Sequence, residues 1–262
     1  MRIGVDGAEV YCYTGTRPVD PARATVVFVH GAANDHSVFA LQSRYFAHHG
    51  RNVLAVDLPG HGRSAGPPQD SVEAIADWIV RLLDAAAIRE SALVGHSLGA
   101  LAALEAAARH PSRISRVALL GPAFPMAVSD VLIDAARAGD HAAFELIASW
   151  SHSPGKQLGG NPVPGMWMMG GALRLMERSA PGALFVDLRA CNAYANGLAA
   201  AAAVCCPTLL VLGARDLMAP PKAAQGLIDA LAEKRVVTLA DCGHAMMAEQ
   251  PDAVLDALAA FL

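Results

Sequence analysis

An α/β fold built on a mostly parallel sheet is what this sequence predicts, on three observations. Short apolar runs alternate with helical patterns along most of the chain. One run, Ser91-Ala92-Leu93-Val94, passes through Gly95-His96-Ser97-Leu98-Gly99 into an Ala- and Leu-rich helical pattern that stops at Pro111. Of the 262 residues, 54% are hydrophobic and 17% charged, which supplies the apolar surface that a buried sheet and its covering helices need.

In chain order, residues 9–13 read as an antiparallel edge strand after the Asp6-Gly7 turn. Sheet strands are expected at 24–30, 52–56, 92–94, 117–120, 208–212 and 236–239, each a short apolar run bounded by Gly, Pro or Asp. His48-His49 closes a helix before Gly50, where a cation suits the helix dipole. A helix over 70–87 opens with Asp70 and Glu73 in a capping-box relation, and Val72, Ile75, Ala76, Ile79, Leu83 and Ala86 share one face. The pattern after Ser97 predicts a helix over 98–110. Helices over 220–232 and 251–262 each begin with Pro, whose missing N–H is harmless in a first turn.

From 124 to 204 the rhythm breaks. Helices are expected near 130–138, 140–150, 166–178 and 183–195 without a strand, interrupted at Pro154-Gly155 and over 159–165. The expected organisation is a core of 1–123 and 205–262 with an all-helical cap of 124–204 inserted late in the sheet. Such a cap would sit over the carboxyl end of the strands, where ligands bind in folds of this kind.

Composition excludes several classes. The net charge is −4, with no basic run for nucleic acid or an anionic membrane surface. The five cysteines are odd in number, and Cys205 and Cys206 are adjacent. No Cys/His spacing suits a metal, so they read as reduced thiols of a cytoplasmic protein. The first residues carry no apolar run, so no signal peptide is expected. Residues 190–214 lack formal charge, but Asn192, Asn196, Gly197 and Pro207 interrupt them, and a helix end followed by a core strand is expected rather than a membrane span. Neither H-E-x-x-H nor G-x-x-x-x-G-K-[ST] occurs. The expected partner is a small-molecule substrate, with no cofactor and no metal.

The chemistry centres on Gly95-His96-Ser97-Leu98-Gly99. Strand, tight turn and helix place a Ser hydroxyl on a sharp exposed bend, and the flanking Gly residues relieve the crowding there. A Ser hydroxyl needs a base, and that base needs an orienting acid. Asp216 follows a core strand and His244 lies in the loop past the last strand, completing the order Ser97, Asp216, His244. A developing oxyanion also needs donors. The Leu98 backbone N–H is one candidate, and Ala32 in His30-Gly31-Ala32-Ala33 is the second, with Ala33 as the alternative. His30 and His61 sit in Gly-rich turns and read as braces of loop hydrogen bonds, and Cys242 reads as a packing thiol.

These residues resemble the α/β-hydrolase fold superfamily, in its helical-cap subgroup. The resemblance rests on Val27-Phe28-Val29-His30-Gly31, Asp57-Leu58-Pro59-Gly60-His61-Gly62-Arg63-Ser64, the Ser97 elbow, Gly213-Ala214-Arg215-Asp216 and Gly243-His244. It implies that Ser97, Asp216 and His244 occupy the triad positions and that Ala32 and Leu98 occupy the oxyanion positions. Ser at the elbow differs from the Asp of haloalkane dehalogenases and epoxide hydrolases. Gly99-Ala100 departs from the Gly-Gly often seen in enol-lactonases. The expected activity is hydrolysis of a small or medium hydrophobic carboxylic ester, thioester or lactone through an acyl-enzyme on Ser97. C–C bond hydrolysis and acyl transfer use the same triad, and a ligand receptor with little turnover is the alternative from another class. Phe124, Trp150, Trp167 and Met168 are the expected substrate-pocket residues.

Overall fold

The computed structural model describes residues 1–160 and 165–262. The middle of the glycine-rich stretch expected over 159–165 lies outside them. Among the described residues an eight-stranded sheet runs in the order β1-β2-β4-β3-β5-β6-β7-β8. Its strands are β1 (Arg2–Val5), β2 (Ala8–Tyr13), β3 (Thr25–Val29), β4 (Asn52–Val56), β5 (Ser91–His96), β6 (Ile114–Leu120), β7 (Thr208–Gly213) and β8 (Lys234–Leu239). β1 and β2 form an antiparallel hairpin and β2 joins β4 antiparallel, while every pair from β4 to β8 is parallel.

The inner strands β3, β4, β5 and β7 are buried along their whole length because both faces are covered, whereas the edge strand β8 opens on exposed Lys234 and Arg235. Side chains alternate along β3: Val27 and Val29 point into one core and Val26 and Phe28 into the other. The first core packs against α2 (Val72–Ala85) and α3 (Leu98–Arg109), and the second against α1 (Ala40–His48) and α12 (Pro251–Ala259). Trp78, Ile79, Leu82 and Leu83 of α2 are all but inaccessible, the apolar stripe expected of a helix lying on a sheet. Its cap differs from the expected Asp70: Ser71 is extended and its hydroxyl accepts from Ala74 N–H at 3.2 Å.

Between β6 and β7 the regular elements among the described residues are all helices: α4 (Asp130–Ala138), α5 (Ala142–Ser151), α6 (Pro154–Gln157), α7 (Met168–Met176), α8 (Ala183–Ala193) and α9 (Gly197–Ala203). The expected helix over 183–195 is α8 alone; Tyr194 turns extended and α9 begins anew. These helices hold a third apolar core around Leu132, Ile147, Met176, Leu184 and Leu188, which also encloses Ala33 from the loop after β3. After β7 come α10 (Gln225–Ala230) and, past β8, α11 (Met246–Glu249). The expected helix over 220–232 is shorter because a tight turn over Pro221–Ala224 precedes it and Leu231 returns to extended backbone. Among the described residues no helix is long and apolar enough to cross a membrane.

The sheet order places the site. The chain leaves β3 toward β4 on one side, then returns to β5 on the other, and Val29 of β3 registers with Gly95 of β5. Such a switch point opens a crevice at the carboxyl ends of the strands. The loops after β3 and β5 therefore meet.

Candidate active site

Ser97 sits between β5 and α3 at φ 54° and ψ −118°, a conformation that side chains rarely adopt. The bend is possible because strand and helix touch backbone to backbone. A Cβ on Gly95 would lie 2.1 Å from the Gly99 carbonyl oxygen, and one on Gly99 would lie 2.3 Å from the Val29 oxygen. The Ser97 N–H donates to Leu120 O of β6 at 2.9 Å, which fixes the bend from below.

Asp216 follows β7 and is buried. One carboxylate oxygen accepts the N–H groups of Met218 and Ala219 at 2.8 and 2.7 Å, and the other accepts His244 Nδ1–H at 2.7 Å. Burial alone would raise its pKa, but the imidazole beside it and these three donors hold it below the usual carboxylate range. With Nδ1 committed to Asp216, the neutral ring of His244 carries its lone pair on Nε2. His96 supports the same loop, donating from Nε2 to His244 O at 2.9 Å. Burial and the neighbouring His244 ring push the His96 pKa down to about 3, so it stays neutral.

The loop after β3 also has a defined hydrogen-bond pattern. Ala33 N–H donates to Asp187 of α8 at 2.9 Å. Leu98 is the first residue of α3, where no intrahelical acceptor exists for its N–H. Among the described residues neither Ala32 N–H nor Leu98 N–H has a protein acceptor. Asp187 shares the same carboxylate oxygen with His61 Nε2 at 2.8 Å. Burial would lower the His61 pKa, but the Asp187 charge and hydrogen bond outweigh it and the pKa is raised. His30 instead donates from Nδ1 to Gly31 O at 2.8 Å and accepts Leu58 N–H at 3.0 Å, and burial pushes it down to about 4.

A cavity of about 460 Å³ opens at this junction, lined by both Ser97 and His244. Among the described residues that line it there is no Asp, Glu, Lys or Arg, and six are Met. Ala32, Trp150, Trp167 and Met168 all line it. Phe124 does not; its ring lies edge-on to Tyr194 at 5.9 Å and covers Gly197, part of the core beneath.

Residues 26–257 match the alpha/beta hydrolase family. The chain belongs to that family. The hydrolase is 30% identical over 250 residues to the pimeloyl-[acyl-carrier protein] methyl ester esterase of Chromobacterium violaceum, covering 90% of this chain and 93% of that one. It is 30% identical over 244 residues to a putative carbamate hydrolase RutD of Klebsiella pneumoniae, covering 85% of each. The enol-lactonase from Burkholderia xenovorans LB400 superposes with a TM-score of 0.85 at 24% identity, covering 100% of this chain and 99% of that one, which shows the shared fold.

Three side chains of this hydrolase escape sequence reasoning. Asp187 bridges α8 to the loop after β3. Glu249 of α11 is buried and joins Gly243 N–H at 3.0 Å to Ser153 Oγ at 2.6 Å, so it ties the His244 loop to the helical insertion. Glu105 of α3 accepts Tyr194 O–H at 2.6 Å and Asn196 Nδ2 at 3.0 Å, anchoring the far end of the insertion. Their one local signal is an acid isolated in an apolar helix.

Cys12, Cys191 and Cys242 are buried free thiols; burial raises Cys242 to about 12, which suits packing. Cys205 is exposed. Among the described residues, Asp35, His36 and Asp57 alone bring three candidate metal-ligand atoms within 4.8 Å of one another. Their oxygens already serve the fold. Asp57 accepts from His36 N and Nδ1 and from Arg63 N, while Asp35 accepts from Ser37 and pairs with Arg178.

Proposed function

We propose that this hydrolase cleaves small or medium hydrophobic carboxylic esters through an acyl-enzyme on Ser97. One observation carries the reading: Ser97 on its strained bend and His244, oriented by buried Asp216, open onto one uncharged cavity. Ser97 Oγ attacks the carbonyl carbon as His244 Nε2 takes its proton, and Asp216 stabilises the imidazolium. The oxyanion takes the Ala32 and Leu98 N–H groups, which have no protein acceptor. Ala33 N–H is already given to Asp187, which supports Ala32 over Ala33 for that role. His244 then returns the proton to the leaving oxygen and the alcohol departs. Water repeats the sequence on the acyl-enzyme, so ester and water become acid and alcohol.

Residues 124–204 act as the cap. Their apolar core and their Trp and Met side chains exclude water from the developing charge. The unpaired cysteines support a cytoplasmic protein. The test is a panel of p-nitrophenyl esters from acetate to dodecanoate beside a charged succinyl ester. Sustained turnover that peaks at short or medium chains is expected. A preference for the charged ester, or one burst without turnover, contradicts the reading.

A further inference from the structure

His152 ends α5 and is 2% exposed, yet it lines the cavity that holds Ser97 and His244. Its Nδ1 lies 2.8 Å from the Ala148 carbonyl oxygen. A carbonyl can only accept, so Nδ1 carries the proton and the neutral ring has its lone pair on Nε2. That nitrogen has no protein partner among the described residues, and it is not sealed off. Gln42 Oε1 and His96 Nδ1 are also unpartnered, but both are enclosed. The other polar side chains of the wall serve the fold. Asn34 donates to Ala32 O, Ser129 accepts from Leu132 N–H, Ser151 donates to Met218 Sδ and Gln42 donates to Pro251 O. Among the described residues, Asn34 Oδ1 on the half-buried loop after β3 also lacks a protein partner, while His152 Nε2 is the buried side-chain acceptor that the helical wall leaves open to a ligand.

Its place in the cavity gives it a side. Ser151 O accepts Ala245 N–H at 2.9 Å, and Ser153 shares Glu249 with Gly243. Residues on both flanks of His152 therefore hold the loop that carries His244. The leaving oxygen must approach His244 to be protonated, so the leaving group lies along this wall. The acyl group then occupies the rest of the cavity.

We infer that His152 forms a leaving-group subsite for a hydrogen-bond donor, so that the preferred esters carry a hydroxyl or amide N–H on their alcohol portion. This rests on the ester-hydrolase reading above. A neutral alkyl leaving group leaves the buried Nε2 unpaired, and an ether oxygen meets it lone pair to lone pair.

The test compares butyrate esters of ethylene glycol, 1,3-propanediol and 1,4-butanediol with their methyl ethers, which match them in length but cannot donate. For at least one length, wild-type kcat/KM should favour the hydroxyl ester about five- to ten-fold, the worth of one neutral hydrogen bond. In His152→Leu that ratio should fall to about one, whatever the absolute rates. Fluorophosphonate labelling of Ser97 reports whether the variant is folded, and His152→Phe replaces it if it is not. A wild-type ratio near one at every length, a ratio retained in the variant, or a preference for leaving groups bearing a carboxylate overturns the subsite. Absence of both labelling and butyrate turnover instead removes the ester-hydrolase reading, and the subsite with it.

Discussion

The cavity has two walls built on different principles. The sheet wall carries Ser97, Asp216 and His244 on loops that leave β5, β7 and β8 of one parallel sheet, and hydrogen bonds to backbone groups fix each of them. The wall from the helical insertion carries Trp150, Met166, Trp167 and Met168, of which Trp167 is 66% exposed. Rigid backbone holds reacting groups where small displacements would cost rate, while long apolar side chains on short helices can adapt to different ligands. One wall thus suits chemistry and the other suits selection. Asp187, Glu249 and His152 stand where the two meet.

The largest effect expected belongs to the sheet wall. Ser97→Ala should lose fluorophosphonate labelling and on the order of 10³-fold or more of kcat. Near-normal turnover in that variant would remove the acyl-enzyme and leave the contrast between the walls without its first term.

Stability against pH separates buried histidines behind the sheet wall from the one at the bridge. His30 and His96 protonate at about 4 and about 3 in the fold but near 6.5 when unfolded. Between those values the unfolded chain binds more protons, so stability falls as pH drops below 6.5, by on the order of 3 kcal/mol for each residue at the acid end. His61 has the opposite sign. Its pKa is raised in the fold, so its contribution is fully present below 6.5 and is lost as pH rises through the folded value. Urea denaturation from pH 4 to 9 measures both limbs, and His61→Gln should remove the upper one. A flat profile from pH 6.5 to 4 would show that the two histidines carry no such penalty.

Asp187→Asn tests the bridge. The uncharged amide accepts from Ala33 more weakly than the carboxylate and no longer neutralises His61, so the anchor of the loop that presents Ala32 loosens. Roughly a ten- to hundred-fold loss in kcat is expected with KM little changed, as for a displaced oxyanion donor. A rise in KM alone would place Asp187 in the service of the insertion rather than of the oxyanion loop.

The two walls were also unequally legible. Strands at 52–56 and 208–212, the elbow, Asp216 and His244 all carry local signals, namely apolar runs, Gly spacing and position after a strand. β1 carries no such signal, because Arg2 to Val5 alternates exposed and buried residues over only four positions and depends on its hairpin with β2. The expected cap at Asp70 lost to Ser71, since residues one apart compete for the same donor and backbone direction decides. The contacts of Asp187 span 154 and 126 residues and that of Glu249 with Ser153 spans 96. A hydrogen bond across such separations leaves no periodicity to read. Phe124 shows the same limit, because an aromatic at the edge of an insertion packs inward or lines a pocket according to a neighbour, here Gly197, that sequence does not place beside it.

The smallest effect belongs to the insertion wall and tests adaptability itself. The Trp167 indole lies across Gly170, where a Cβ would come within 2.1 Å of the ring, and it lines the cavity far from the Asp216–His244 pair along the chain. Trp167→Ala removes apolar wall without touching an atom that holds Ser97, Asp216 or His244. Much of the ring is already solvated, so the loss is a fraction of full burial, roughly 0.5 to 1.5 kcal/mol. The expected outcome is a two- to ten-fold change in kcat/KM that grows with acyl length, with fluorophosphonate labelling of Ser97 intact. A uniform fall across all chain lengths would mean that Trp167 supports the reacting groups, and the division between a wall for chemistry and a wall for selection would fail at that residue.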